Sequence, residues 1–165
     1  MRYGQIRQFD IANGEGIRTS IFVTGCTHCC RGCFNKEYQD FDAGMPWTDQ
    51  ETRQVIEYLK DPMIKGLSLL GGEPFQNAVG LAEIVREIKK ESPKDIWVYS
   101  GYTFEQICAD DQMKELLILC DVLVDGLFVE EKKDLRLRFR GSSNQRIIDI
   151  APSLEKGQAV EYILR

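Results

Sequence analysis

The chain has 165 residues, a formal net charge of −5 and 43% hydrophobic residues, which predicts one soluble globular domain over residues 1–165 and argues against a cationic surface built for nucleic-acid backbones. No apolar run is long enough to span a bilayer, and the opening MRYGQIRQFD has neither a signal-peptide nor a transit-peptide pattern. No nucleic-acid or membrane partner is therefore expected, and the cytoplasm is the expected location.

In chain order, Thr19 to Thr24 form a β-branched and aromatic run that ends at Gly25, the pattern of a buried strand feeding a loop. From Thr48, TDQETRQVIEYLK supplies a cap residue, early acids, and Val55, Ile56 and Leu59 at helical spacing. Gly66 to Leu70 is the next strand, GGEP a tight turn, and Ala78 to Glu91 an amphipathic helix stopped by Pro93. Ile96 to Ser100 is a third strand, TFEQICADDQMKELLILC holds one or two helices, and Asp121 to Gly126 is a further buried strand. Such alternation predicts a parallel α/β sheet. No repeat or linker divides the chain.

The alternation breaks at Phe128. Leu135, Leu137 and Phe139 then alternate with Arg136, Arg138 and Arg140, which predicts a strand with its arginines on one face. That face is either a solvated edge or a surface for an anion or a partner.

Six cysteines in a reducing compartment are free thiols rather than disulfide staples, and four of them fall within eight residues, in GCTHCCRGCFN. Cys26, Cys30 and Cys33, spaced C-x3-C-x2-C, can hold three irons of a cubane and leave the fourth iron open to a substrate. A competing reading is a zinc site made of Cys26, Cys29, Cys30 and Cys33, because C-x2-C occurs twice. Against it, the neighbouring side chains of Cys29 and Cys30 point in different directions, so sharing one tetrahedral ion strains the loop. His28, the only histidine, reads as a spacer. Cys108 and Cys120 read as small hydrophobes in helical stretches.

The C-x3-C-x2-C motif followed by Phe34, together with GGEP after a strand, resembles the radical S-adenosylmethionine enzymes. The stretch DIANGEGIRTSIFVTGC is similar to the glycyl-radical-enzyme activases, and VLVDGLFVEEKKDLRLRFRGSSNQR is similar to those whose partner is the large subunit of an anaerobic ribonucleotide reductase. The resemblance implies a 4Fe-4S cluster on Cys26, Cys30 and Cys33 and S-adenosylmethionine on its open iron. It further implies an electron from a flavodoxin or ferredoxin, cleavage to a 5′-deoxyadenosyl radical, and a glycyl radical on the partner. Gly32, Cys33 and Phe34 match the segment that runs past the adenine in this family. Gly71 and Gly72 match the turn that approaches the ligand closely, with the main-chain edge beside Glu73 suited to the methionine ammonium group. Ser100, at a strand end facing the same mouth, is a candidate for the ribose or the methionine carboxylate.

The remaining polar residues near these motifs have two readings each. Asp121 and Asp125 are either polar lining or loop caps. Asn13, Gly14, Glu15, Gly16 and Arg18 match the activase N-G-x-G-x-R pattern, with glycines for close backbone approach and Arg18 as a carboxylate binder or a surface salt bridge. No catalytic group beyond the cluster is expected. The fold expectation is a shortened, open (β/α) partial barrel with parallel strands, since a complete barrel takes about 250 residues. Two rivals are a radical enzyme with a small-molecule substrate, as in deazaguanine biosynthesis, and a zinc-stabilised adaptor.

Overall fold

The computed structural model describes residues 1–165. In chain order the elements are β1 (Arg2–Asp10), β2 (Ile17–Val23), β3 (Met45–Pro46), α1 (Asp49–Leu59), β4 (Ile64–Gly71), α2 (Ala78–Glu91) and β5 (Asp95–Tyr99). They continue with α3 (Phe104–Cys108), α4 (Asp111–Leu117), β6 (Val122–Asp125), β7 (Arg146–Asp149) and α5 (Ile150–Lys156). All seven strands form one sheet in the order β3-β1-β2-β4-β5-β6-β7. β2, β4, β5 and β6 are parallel neighbours. The flanks correct the all-parallel expectation: β1 runs antiparallel to β2, β3 to β1, and β7 to β6. The sheet is open, with β3 and β7 at its edges.

Period-two alternation along the strands gives the sheet two different faces. Ile21, Val23, Leu67, Leu69, Ile96, Val98 and Leu123 share the main core with Val55 and Leu59 of α1, Leu81, Val85 and Ile88 of α2, and Leu116 and Leu117 of α4. Each such side chain stabilises the fold by about 1.5–3 kcal/mol when fully buried, so this helix-covered face carries most of the stability. The alternate residues Phe22, Leu70, Trp97, Val122 and Val124 form two smaller clusters that no α-helix joins. That second face is left free to wall a cleft.

Local signals explain the helix ends. Thr48 caps α1 in a reciprocal capping box, its hydroxyl accepting from the Gln50 amide while its own amide donates to Glu51 at 2.7 Å. α2 ends at Ser92, just before Pro93, which cannot supply the next helical N–H.

Residues 134–141 are turns and bends, not a strand. Phe139 sits at φ 61, outside any extended conformation. Arg136 pairs with Asp134 at 2.9 Å, Arg138 lies over the Phe139 ring at 5.1 Å, and Arg140 donates to the Gln145 carbonyl at 2.5 Å. The three arginines therefore go to three different partners rather than one face. Of the two readings of Arg18, the structure has it bound to a carboxylate, but fully buried rather than in a surface salt bridge. Its guanidinium donates to Ser68 Oγ at 2.8 Å, to the carbonyls of Glu15 and Leu67 at 3.0 and 2.9 Å, and to Asp95 Oδ1 at 2.5 Å. It is a tie across β2, β4 and β5.

The glycines beside Arg18 serve the same packing. A Cβ on Gly14, at φ 120, would meet Arg18 Cδ at 2.8 Å and Trp97 at 3.0 Å. Asp121 and Asp125 act on backbone and on Arg146: Asp121 accepts the Ile96 amide, and Asp125 accepts the Phe104 amide at the start of α3 and pairs with Arg146 at 2.5 Å.

Buried Asp10 adds a pH dependence. Burial alone raises its pKa, but donation from Ser20 at 2.6 Å, Asn13 at 2.7 Å and the Ala12 amide at 2.9 Å outweighs it and holds the carboxyl below its usual range. A carboxylate lowered on folding contributes stability above its unfolded pKa, and this is lost as pH falls through the folded value. Asp10→Asn should therefore lower the urea midpoint at neutral pH and flatten its decline on acidification toward pH 3. An acid limb as steep as wild type would contradict this.

Candidate functional site

Because β2, β4, β5 and β6 are parallel, the loops at their C-terminal ends open at one edge of the sheet. The cleft there has a volume of about 590 Å³, within the range of small-molecule sites. Its lining includes Cys26, Cys30, Cys33 and Phe34 from the loop after β2, Gly71, Gly72 and Glu73 from the turn after β4, and Ser100 after β5. Gly32 and Cys29 are outside this lining. Cys29 is exposed, with φ 55, and Gly32, at φ 74, sits against the Glu130 side chain.

The cysteine loop is anchored at its start by main-chain bonds. Gly25 N–H donates to the Tyr38 carbonyl at 2.8 Å and Cys26 N–H to the Gln39 carbonyl at 2.9 Å. Gly25 adopts φ 102, and a Cβ there would strike the Phe41 ring at 2.2 Å. A turn from Cys30 to Cys33, bonded at 3.3 Å, brings the second and third thiols back over the cleft.

Two of the thiols, Cys26 and Cys30, are pushed above the ordinary thiol range. Burial is the main cause that pushes Cys26 up to about 11, with Glu73, Cys30 and Cys33 adding to it. Burial also raises Cys30, against donation from the Phe128 amide. No group of three or more Cys, His, Asp or Glu side chains converges closely enough to hold a single metal ion.

Glu73 is the hub of the opposite wall. It is only 1% exposed, and its carboxylate accepts from Ser100 Oγ at 2.7 Å, the Gly101 amide at 2.9 Å, the Phe75 amide at 3.1 Å and His28 Nε2 at 3.0 Å. Ser100 Oγ also accepts from the Tyr102 amide at 3.0 Å. The turn before Glu73 packs directly on the cysteine loop: Gly72 N–H donates to the Val23 carbonyl and Glu73 N–H to the Gly25 carbonyl, both at 2.8 Å. A Cβ on Gly72 would meet the Gly25 carbonyl oxygen at 2.6 Å and that of Tyr38 at 2.8 Å. Gly72→Ala should therefore cost about 1–3 kcal/mol of stability, as overpacking does, measured by urea unfolding of the cluster-free protein. An unchanged midpoint would show that the two loops are not in contact here.

The cleft takes in residues to which sequence reasoning assigned another role or none. His28 is bonded to Glu73 rather than acting as a spacer. The cleft also includes Arg7 and Asn13 on one side and Phe128, Leu137 and Arg140 on the other. Phe34 stacks at a tilt on Phe128, centroids 4.9 Å apart, with Lys133 above its ring at 5.2 Å. Nothing local marks Arg7 and Phe128, since their place in the cleft comes from segments distant in the chain.

Three thiols and a glycine turn brought to one cleft at the ends of parallel strands are the site's main features, and residues 12–148 match the family described as a 4Fe-4S single cluster domain. The chain is 45% identical over 152 residues to a protein of Pasteurella multocida (strain Pm70), covering 89% of this chain and 96% of that relative. It is 44% identical to one of Haemophilus influenzae (89% and 97% covered) and 43% identical to one of Escherichia coli K12 (88% and 96% covered). All three carry the name anaerobic ribonucleoside-triphosphate reductase-activating protein, and this chain belongs to their family.

Proposed function

We propose that the chain is an activase that reductively cleaves S-adenosylmethionine with a 4Fe-4S cluster on Cys26, Cys30 and Cys33 and generates a glycyl radical on the large subunit of an anaerobic ribonucleotide reductase. The observation that carries this reading is that these three thiols line one cleft with Gly71, Gly72, Glu73 and Ser100, while Cys29 is exposed outside it. In a cubane each thiolate takes a different iron, so the sulfurs need not converge on one point as they must around zinc.

A cluster held by Cys26, Cys30 and Cys33 and reduced by a flavodoxin or ferredoxin would supply the electron for cleaving the sulfonium bond to C5′, and with it the means of taking a hydrogen atom from the partner's glycine. The chain's own residues bind and orient. The turn at Gly71 and Gly72 offers a main-chain edge beside Glu73 for the methionine ammonium group. The segment Gly32, Cys33 and Phe34 would run past the adenine, with Cys33 and the half-exposed Phe34 ring on the cleft side and Gly32 behind them. Ser100 acts through Glu73, to which its hydroxyl donates. No further catalytic side chain is invoked.

The associated fold reading is a single domain forming a shortened, open (β/α) barrel, whose open side admits a macromolecular substrate. The cytoplasm is its setting, and no helix is long and apolar enough to cross a membrane. The test combines the reconstituted, reduced protein anaerobically with S-adenosylmethionine and the reductase large subunit, read by electron paramagnetic resonance. A glycyl-radical doublet on the reductase is expected. Cofactor cleavage with no radical on that subunit would favour a small-molecule substrate instead.

A further inference from the structure

Two of the three residues between Cys26 and Cys30 are tied to other loops. Thr27 N–H donates to Gln76 Oε1 at 3.0 Å, and the Thr27 hydroxyl accepts from Gln76 Nε2 at 2.7 Å. Gln76 Nε2 also donates to the Tyr102 hydroxyl at 3.0 Å. His28 Nε2 donates to Glu73 Oε2 at 3.0 Å, and its ring stands edge-on to Tyr102 with centroids 4.6 Å apart. Gly101 makes the room, because a Cβ there would meet the His28 ring at 2.7 Å. The contacts close a circuit through the cysteine loop, the turn after β4 and the end of β5.

Within that circuit Glu73 is the fixed point. Its carboxylate is buried and already accepts from Ser100, Gly101 and Phe75 without His28. A side chain that bonds to a carboxylate held on three sides takes its own position from it. His28 is 14% exposed and is the link from this anchor to the loop that carries the thiols.

We propose that His28 is a positioning residue: through Glu73 it holds the Cys26–Cys30 loop at a set distance from the Gly71–Glu73 turn. The two halves of the cleft are thereby pre-organised for a ligand that spans them. The identity of that ligand, S-adenosylmethionine, rests on the function proposed above, whereas the clamp itself does not.

The test uses His28→Ala and His28→Gln, since a glutamine amide can replace Nε2 as the donor to Glu73. Three quantities are read: alkylation rates of Cys26 and Cys30 in cluster-free protein by mass spectrometry, the S-adenosylmethionine dissociation constant of the reconstituted protein by spectroscopic titration, and the thermal midpoint. His28→Ala should still assemble a cluster on its three thiols. Its alkylation should speed up, and its dissociation constant should rise about tenfold, the lower end of what outer-shell partners contribute. His28→Gln should restore most of both, with the midpoint little changed.

Wild-type alkylation rates and affinity in His28→Ala would overturn the clamp. So would losses that His28→Gln fails to restore and that track a fallen midpoint, since those mark a merely structural role. A wild-type protein that assembles its cluster yet binds no S-adenosylmethionine would count against the proposed function, and the clamp would then be decided by the alkylation rates alone.

Discussion

Cys30→Ala, reconstituted anaerobically with iron and sulfide, should retain at least about 100-fold less tightly held iron than wild type, whereas Cys29→Ala should match wild type. The two residues are sequence neighbours with the same chemistry, so the contrast isolates geometry. Cys30 faces the cleft with Cys26 and Cys33, and Cys29 is turned out to solvent by its left-handed backbone. Iron and sulfide per chain, with the visible absorption of the cluster, provide the readout. Equal losses in both variants would restore the four-thiolate zinc arrangement and remove the open iron on which the proposed chemistry depends.

Arg18→Ala should lower the unfolding free energy of the cluster-free protein by about 3–5 kcal/mol, the range for breaking a buried charged network. Arg18 has no exposed surface, and its removal takes a donor from the Leu67 and Glu15 carbonyls, leaves Ser68 Oγ with only its own bond to the Asn13 carbonyl, and opens a void beside Trp97. Lysine should not rescue it, because a single ammonium cannot reach acceptors spread over β2, β4 and β5. Urea unfolding followed by Trp fluorescence measures the loss. A change below about 1 kcal/mol would mean that Arg18 behaves as a surface ion pair.

The helix-covered half of the fold was legible because its signals are local. Thr48 and Glu51 mark the start of α1, Pro93 stops α2, and the apolar runs of β2, β4, β5 and β6 fit strands buried in a parallel sheet. The antiparallel flanks were not. β7 is four residues long, and β1 mixes buried and exposed positions without strict alternation. Both owe their place to pairing partners distant in the chain. The Leu–Arg alternation at 135–140 misled for the same reason in reverse: period two is necessary for a half-buried strand, but here no partner strand exists, and only Lys133 and Ser142 form a bridge.

The site divides in a similar way. Spacing favoured Cys26, Cys30 and Cys33 over a set that includes Cys29, because adjacent side chains diverge, and left the zinc set open until the family resemblance was considered. The glycines of the turn after β4 were visible as a motif, but their physical reason was not: Gly72 is required by the carbonyls of Gly25 and Tyr38, which only the folded chain brings there. His28 was passed over since its partner, Glu73, lies 45 residues away. Arg18 was left between a carboxylate binder and a surface salt bridge, since nothing local reports that β4 and β5 cover it.

The most direct measurement is anaerobic production of 5′-deoxyadenosine by the reconstituted, dithionite-reduced protein with S-adenosylmethionine, quantified by chromatography in wild type and Cys30→Ala. The account predicts stoichiometric or greater product from wild type and background from the variant. No product from a wild-type protein whose cluster is intact and reduced would contradict it, leaving a cluster that carries electrons without opening the cofactor.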